Sequence, residues 1–143
     1  MTSPNEIGIA VYTMLRKEWF SEQQAKYITA QAAHETANFT SNVFEKTKNI
    51  FGFKFTGHHT EISSYNGYAA YKTIEDCIHR YADYYKAHKY PGTFATVSAF
   101  IHALKENRYF EAPEAEYLTG VRHFMKVYFN ELSDHISGAG ASW

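Results

Sequence analysis

Apolar side chains recur along most of the chain at the three- and four-residue spacing of amphipathic helices. In the second such stretch the apolar positions are Ala25, Ile28 and Ala32, and Ser21 followed by Gln24 is typical of a capping box at the start of a helix. The last stretch carries inward positions as far as Leu132. The spacing predicts five helices: residues 5–18, from after Ser21 to before Asn38, from Thr73, around 97–104, and from Pro113.

The period changes between the second and third of these helices. Three phenylalanines first alternate with small or charged residues until Gly57 interrupts them. Residues 60–63 and 68–71 then flank Asn66 and Gly67, a dipeptide typical of two-residue hairpin turns. We therefore expect an α+β fold that is mainly α, with helices around a small β-hairpin insert.

Length and charge set limits on the class of protein. The 143 residues predict one domain at 1–136, followed by a flexible Gly/Ser-rich tail at 137–143. A formal net charge of −1 argues against a strongly cationic binder of nucleic acids or membrane surfaces. No apolar run approaches the roughly 20 residues of a transmembrane helix. Cys77 is the single cysteine, which excludes an internal disulfide. We expect a monomer with neither a nucleic-acid partner nor a membrane span.

Aromatic residues make up 17% of the chain, including 12 tyrosines. Tyrosine combines a flat apolar ring with a polar tip, which suits grooves that hold sugars, bases or peptides. A tyrosine-rich core explains the same count equally well.

Glu35 is the most informative residue of the sequence. It follows Ala25, Ile28 and Ala32 at the same helical spacing, so it continues the apolar stripe of its helix. Partial burial there should raise the pKa of the carboxyl, and a carboxylic acid that keeps its proton at neutral pH suits a general acid. The alternative is a helix-end carboxylate that curls out to solvent.

Glu61, on the first arm of the hairpin, is the second candidate. On its own, an exposed glutamate of a strand is an ordinary solvated residue. If the hairpin folds over the end of the second helix, however, the two carboxylates lie on either side of one groove. Two carboxylates that flank a glycosidic bond can hydrolyse it, one as the acid and the other as base or nucleophile.

Histidines raise the question of a metal site. His34 and Glu35 begin a zinc-protease motif, but Asn38 occupies the place of the second histidine, so the motif is absent. His58 and His59 are adjacent and could bind a metal together with His34 or Glu61. However, we expect neighbouring histidines in a loop to point in different directions, and no cysteine or aspartate lies at ligand spacing from them. The sequence therefore predicts no metal and no cofactor.

Several ordered motifs resemble one known family. Residues 31–39 (QAAHETANF) and 49–54 (NIFGFK) are similar to the segments A-Q-A-A-L-E-S-G-W-G and N-L-F-G-I-K of the glucosaminidase-type peptidoglycan hydrolase domain, glycoside hydrolase family 73. Residues 60–63 (TEIS) resemble a T-E-I-T segment of the flagellar-rod-hydrolase-like members, and the similarity continues to about residue 132. The resemblance implies a lysozyme-like fold in which the hairpin lies over the active-site groove.

The resemblance also implies roles for particular residues. Glu35 falls on the catalytic acid of the family, and Glu61 on a second catalytic glutamate carried by a mobile hairpin. Aromatic positions of the matching segments imply a substrate-binding set, which consists of Tyr68, Tyr71, Tyr109, Tyr117, Phe51 and Phe39. Some of these tyrosines should instead be core residues. Departures occur at His34, which replaces an apolar residue, at 37–39, which replace Gly-Trp-Gly, and at Ala112, which replaces Asp.

The activity implied is that of an endo-β-N-acetylglucosaminidase, which cleaves β-1,4 bonds of peptidoglycan glycan strands. Three alternatives stay open: a lytic transglycosylase of the same fold, a muramidase, and a catalytically silent module that only binds glycan. The site of action would be the cell wall. Because the opening residues show no secretory signal, we expect either a phage-borne enzyme or a dedicated export route. In either case the chain could belong to a larger phage or secretion assembly.

Overall fold

The computed structural model describes residues 2–131. This part of the chain contains six α-helices and one antiparallel hairpin, joined by loops. In chain order the elements are α1 (Pro4–Glu18), α2 (Glu22–Glu35), α3 (Asn42–Thr47), β1 (Glu61–Tyr65), β2 (Tyr68–Tyr71), α4 (Ile74–Ala87), α5 (Val97–Glu106) and α6 (Glu114–Phe129). The expected α+β, mainly α class is therefore confirmed. Leu132 and the predicted tail at 137–143 lie outside the described residues. Within residues 2–131, no helix combines the length and the apolar character that crossing a membrane requires.

Serine or threonine side chains begin four of the five predicted helices, whereas α6 follows Pro113 without a side-chain cap. The Ser21 hydroxyl accepts a hydrogen bond from the backbone N–H of Gln24 at 3.1 Å, and the Thr73 hydroxyl accepts one from that of Asp76 at 3.0 Å. The predicted capping box at Ser21 forms only in part, because the Gln24 side chain does not bond back to the Ser21 backbone N–H as predicted. The Gln24 side chain is buried and accepts the backbone N–H of Phe94 at 2.9 Å, so it joins α2 to the loop before α5.

α2 lies at the centre of the fold, between α1 and α6. Its burial extends far beyond the single stripe that the spacing predicts, because Ala30, Ala32 and Ala33 are all inaccessible to solvent. Small side chains let neighbouring helices approach it closely from several sides. Glu35 is the last residue of this central helix, so the packed core fixes the position of its carboxyl.

The short helix α3 was missed by the hydrophobic pattern. It has six residues, fewer than two turns, so no repeating apolar stripe can identify it. The Ser41 hydroxyl accepts the backbone N–H of Phe44, and the helix buries Phe44 and Thr47. α3 packs against both strands and thereby supports the hairpin from behind.

The hairpin forms where the Asn-Gly dipeptide predicts it. Asn66 has φ 51° and Gly67 has φ 84°, both positive as a type I′ turn requires. β2 is mostly buried, whereas the middle of β1 is exposed. Packing of β2 against α3 and α4 places the hairpin at one end of the helical body.

A bulge in β1 changes the direction of two side chains. Glu61 pairs with Tyr71 and Ser63 pairs with Ala70, so Ile62 is one extra residue without an opposite partner. Ile62 is 66% exposed, whereas the Glu61 side chain is fully buried. The bulge thus interrupts the simple alternation of a strand next to the second candidate carboxylate.

Candidate active site

A groove of about 730 Å³ opens beside the C-terminal end of α2. Its lining comes from the end of α2, residues 51–54, β2, one face of α4, and residues 107–117. These parts are distant in the chain and meet only in the folded protein. A concave site with aromatic walls and a few polar groups is typical of a small-molecule or glycan site.

Glu35 presents its carboxyl to this groove. Burial raises the pKa of the carboxyl from its ordinary value of 4.5 to about 7, although a hydrogen bond from Tyr117 opposes the rise. In that bond the Tyr117 hydroxyl donates to Glu35 Oε2 at 2.5 Å. The group therefore keeps its proton in much of the population near neutral pH, and it can give that proton to a leaving oxygen.

Gly52 leaves the space that the other oxygen of Glu35 needs. Its φ is +72°, and a Cβ at this position would lie 3.0 Å from Glu35 Oε1. The surrounding segment is held by the buried side chain of Asn49, whose amide donates to the carbonyls of Phe53 and Ala69 at 2.9 Å each. Asn49 Oδ1 also accepts the backbone N–H of Phe53 at 3.2 Å. The backbone beside the acid is thus fixed by a network of hydrogen bonds.

Four of the predicted aromatic residues line the groove: Phe51, Tyr68, Tyr109 and Tyr117. Phe51 and Tyr117 are almost fully buried and form its floor, whereas Tyr68 and Tyr109 are half-buried. The Tyr109 hydroxyl donates to the Phe51 carbonyl at 2.6 Å, and Tyr117 stacks on Phe110 with ring centroids 3.8 Å apart. The rings are therefore held rigidly, with two of them presenting part of their surface to the groove.

Phe39 and Tyr71 do not line the groove, so their expected place there is corrected. Phe39 packs against Phe44 and Tyr128 in the core and is 4% exposed. Tyr71 is 3% exposed. Its burial is the main cause of the raised pKa of its hydroxyl, and the nearby Glu61 carboxylate raises that pKa further. Both aromatic side chains fill space between elements rather than facing the groove.

Glu61 also lies outside the groove lining. Its Oε1 accepts three backbone N–H groups, from Thr56 at 3.0 Å, Gly57 at 2.9 Å and His58 at 3.2 Å. Its Oε2 lies 3.8 Å from Nε of Arg80, and Arg80 does line the groove. The interpretation of Glu61 as an exposed strand residue is therefore wrong. The carboxylate holds the loop before β1 and faces the groove only through Arg80.

His34 lines the groove next to the acid. Burial lowers the pKa of its imidazole and thereby favours the neutral form of the ring. The ring meets Tyr117 edge-on at a centroid distance of 4.5 Å. Space for it comes from Gly120 of α6, where a Cβ would overlap the imidazole. The histidine that replaces the family's apolar residue thus packs behind the Tyr117–Glu35 pair.

The sequence patterns did not identify several residues that line the groove. Arg80 and Tyr84 of α4 line it, together with His88, which follows the last residue of that helix. Their spacing of four is a signal that could have identified one shared helix face. The Arg80 guanidinium lies over the Phe53 ring, 4.5 Å from its centroid. Glu111 adds an exposed carboxylate to the lining, and nothing in its local pattern distinguishes it from a solvated loop residue.

The adjacent histidines do not diverge as expected. The His58 and His59 rings are 4.3 Å apart and inclined by 30°, and His58 Nε2 lies 3.1 Å from Oδ2 of Asp83 on α4. Among residues 2–131, these three side chains form the one cluster that could hold a metal ion. None of them lines the groove.

The comparisons with known proteins concern most of the chain. Residues 19–130 match the family model for glucosaminidase, described as mannosyl-glycoprotein endo-beta-N-acetylglucosaminidase. No curated protein and no solved structure matches the chain. The matched range contains every residue that lines the groove.

Proposed function

Because this chain belongs to the glucosaminidase family, we propose that Glu35 is the general acid with which it cleaves its glycan. Family membership makes the chain a glycoside hydrolase of the endo-β-N-acetylglucosaminidase type, with the peptidoglycan of the cell wall as its substrate. We assign the cut to the β-1,4 bond on the reducing side of N-acetylglucosamine.

The carboxyl of Glu35 is the observation that carries this assignment. An acid that protonates a leaving oxygen must hold a proton at working pH, and a pKa of about 7 meets that requirement. Tyr117 fixes one carboxyl oxygen, and the gap at Gly52 leaves room for the other. The acid is thus oriented before substrate binds, which favours catalysis because no reorganisation is needed in the transition state.

Aromatic rings of the groove would contact the sugar. Tyr68 and Tyr109 are the half-buried pair. The Lys54 ammonium lies over one face of the Tyr68 ring at 3.8 Å from its centroid, so stacking on a pyranose face would use the remaining exposed ring surface of the two tyrosines. Phe51 and Tyr117 support them from the floor. We do not extend a substrate contact to the core residues Phe39 and Tyr71.

We assign Glu61 a positioning role rather than direct participation in the reaction. Its carboxylate orients Arg80, which lines the groove, and it gathers the backbone of residues 56–58. In Glu61→Gln an oxygen still accepts those N–H groups, but the charge opposite the guanidinium is lost. We expect KM to rise several-fold with a smaller change in kcat. A collapse of kcat as deep as in Glu35→Gln, in a folded protein, would instead make Glu61 a direct participant.

Two groups are candidates for the second catalytic role, which is either to activate the attacking water or to attack the sugar directly. Glu111 is the second carboxylate that lines the groove, so it can act as the base of an inverting reaction if it faces the water side of the sugar. The substrate's own N-acetyl group is the other candidate, as the nucleophile of a substrate-assisted reaction. A large loss of kcat in Glu111→Gln supports the first, and unchanged kcat supports the second.

The test is mass spectrometry of purified peptidoglycan after incubation with the wild type and with Glu35→Gln, Glu61→Gln and Glu111→Gln. We expect fragments with reducing N-acetylglucosamine ends, and a loss of about 100- to 10,000-fold in their rate of release in Glu35→Gln. A mannosyl glycoprotein, the substrate named in the family description, forms a parallel arm.

Other products would change the assignment. Reducing muramic-acid ends would keep the hydrolase but move the cut, and anhydro-muramic ends would identify a lytic transglycosylase. Release of N-glycans with intact peptidoglycan would replace the wall substrate. Full activity in a folded Glu35→Gln protein would remove the acid from the mechanism.

A further inference from the structure

The loop that leads into β1 holds a pair of histidines whose surroundings the glycan site does not explain. A ring nitrogen of His58, a ring nitrogen of His59 and a carboxylate oxygen of Asp83 all lie within 4.8 Å of one another. The two histidines belong to the loop and Asp83 to the middle of α4, so the cluster joins two elements. Neither histidine and no part of Asp83 lines the groove beside Glu35.

The orientation of His58 is set by its own loop. Thr60 Oγ1 lies 2.8 Å from His58 Nδ1, which directs the opposite nitrogen, Nε2, to Asp83 Oδ2 at 3.1 Å. The backbone N–H of Thr60 also donates to Nδ1 at 3.2 Å, so without a metal Nδ1 accepts and Nε2–H donates to the Asp83 carboxylate. An ion at Nε2 would displace that proton and leave the neutral ring protonated at Nδ1, where Thr60 Oγ1 is close enough to accept it. A ligating histidine that donates its other N–H to a nearby oxygen is the usual arrangement at metal sites.

We propose that His58, His59 and Asp83 form a binding site for a divalent transition-metal ion of the zinc class, which joins the loop before β1 to α4. Two imidazoles and one carboxylate are ligands that Zn²⁺ prefers, and a fourth, tetrahedral position stays open for water. Ligand atoms around tetrahedral zinc are separated by about 3.3 Å. The Asp83 side chain is 53% exposed and His59 is exposed, so both can turn the short distance that remains.

The surroundings suit a hydrated ion. A depression of about 550 Å³ lies beside the cluster. Its lining includes His59, Asp83, Asp76 and His79, and also two lysines, Lys72 and Lys86. It provides space for the water ligand and for further polar partners. Because Glu61 holds residues 56–58 through three backbone N–H groups, an ion at His58 would fix the other side of that same loop. The expected result is a hairpin base that is attached more firmly to α4.

The test is calorimetric titration of the full chain, freed of any affinity tag and of chelators, with ZnCl₂. We expect one ion per chain, and a melting temperature raised by about 5 °C at saturation. Co²⁺ gives a second readout, because tetrahedral coordination by imidazole produces visible absorption bands. Asp83→Asn and His59→Gln should each weaken zinc binding by about 100-fold, whereas the control His123→Gln, an exposed histidine of α6, should not.

Specific outcomes would overturn the site. Absence of binding to the wild type does so, and so does equal affinity in Asp83→Asn, His59→Gln and wild type. Loss of binding in His79→Gln with retention in Asp83→Asn would place the ion on the neighbouring Glu18–His79 pair instead. Because His59 is exposed, His59→Gln keeps the test valid even if Asp83→Asn fails to fold. Binding is measured without glycan, so the result is independent of the proposed hydrolysis.

Discussion

Replacing Glu35 by glutamine should make the protein more stable, and by an amount that depends on pH. Burial raises the pKa of the carboxyl from 4.5 to about 7, so the folded protein binds this proton more tightly than the unfolded chain does. The associated stability is fully present below pH 4.5 and is lost as the pH rises through about 7. The difference in pKa corresponds to about 3 kcal/mol of unfolding free energy.

Glu35→Gln removes this titration and keeps nearly the same volume. Its amide oxygen can still accept from the Tyr117 hydroxyl. The gain in unfolding free energy over the wild type should therefore increase by about 1.4 kcal/mol per pH unit between the two pKa values, and then stay constant at about 3 kcal/mol. At the pH where the enzyme works, the wild type thus retains a group that lowers its stability.

The assay is urea unfolding of the two proteins at several pH values between about 4 and about 9. Groups that titrate in both proteins cancel in the difference, so the pH dependence that remains belongs to Glu35. Glu45→Gln, an exposed glutamate of α3, serves as the control for removing a carboxyl charge from the surface. A difference between Glu35→Gln and wild type that stays constant over this range would refute the raised pKa, and with it the reasoning for the acid.

Further predictions concern the neighbours of the acid. Tyr117→Phe removes the hydroxyl that lowers the pKa of Glu35, so the basic limb of the pH–kcat profile should move up by about one pH unit; an unmoved limb contradicts this. Gly52→Ala and Gly57→Ala both place a Cβ at positive φ, so each should lower the unfolding free energy by about 1 kcal/mol. Only Gly52→Ala should lose activity, because its Cβ would crowd Glu35 Oε1, whereas nothing lies near a Cβ at Gly57. Ala37→Gly relieves φ +51° and should raise stability by about 1 kcal/mol in urea unfolding, with activity unchanged.

Local signals of the sequence predicted most of the secondary structure. Ser21 and Thr73 start helices because a side-chain oxygen next to an apolar stripe satisfies a free N–H group at once. Asn66 and Gly67 specify their turn because both tolerate positive φ. The candidate acid was also visible in advance, since Glu35 occupies a position on the buried face of its own helix. All of these signals act within a few residues along the chain.

The errors arise where distant segments decide the outcome. The extra residue in β1 turns Glu61 inward, and its partner Arg80 comes from α4, so no spacing within the strand could reveal the buried ion pair. Tyr71, on the buried strand beside it, is enclosed by the same packing. Asp83 completes the histidine cluster from 24 residues beyond His59, a distance that carries no periodic signal.

Several features that oppose folding lie at the end of α2, next to the proposed acid. Beyond the buried carboxyl of Glu35, the chain turns through residues 37–39, none of them glycine, with φ between 51° and 61°. At Ala37 and Phe39 the left-handed conformation costs about 1 kcal/mol or more each, because asparagine but not these residues adopts it readily. The charged form of Glu35 costs about 3 kcal/mol. The alanine-rich centre of α2, packed between α1 and α6, supplies the burial that offsets these terms. Because the same packing excludes water from the carboxyl, the stability of the core and the raised pKa of the acid have one physical origin, and loosening the core should reduce both.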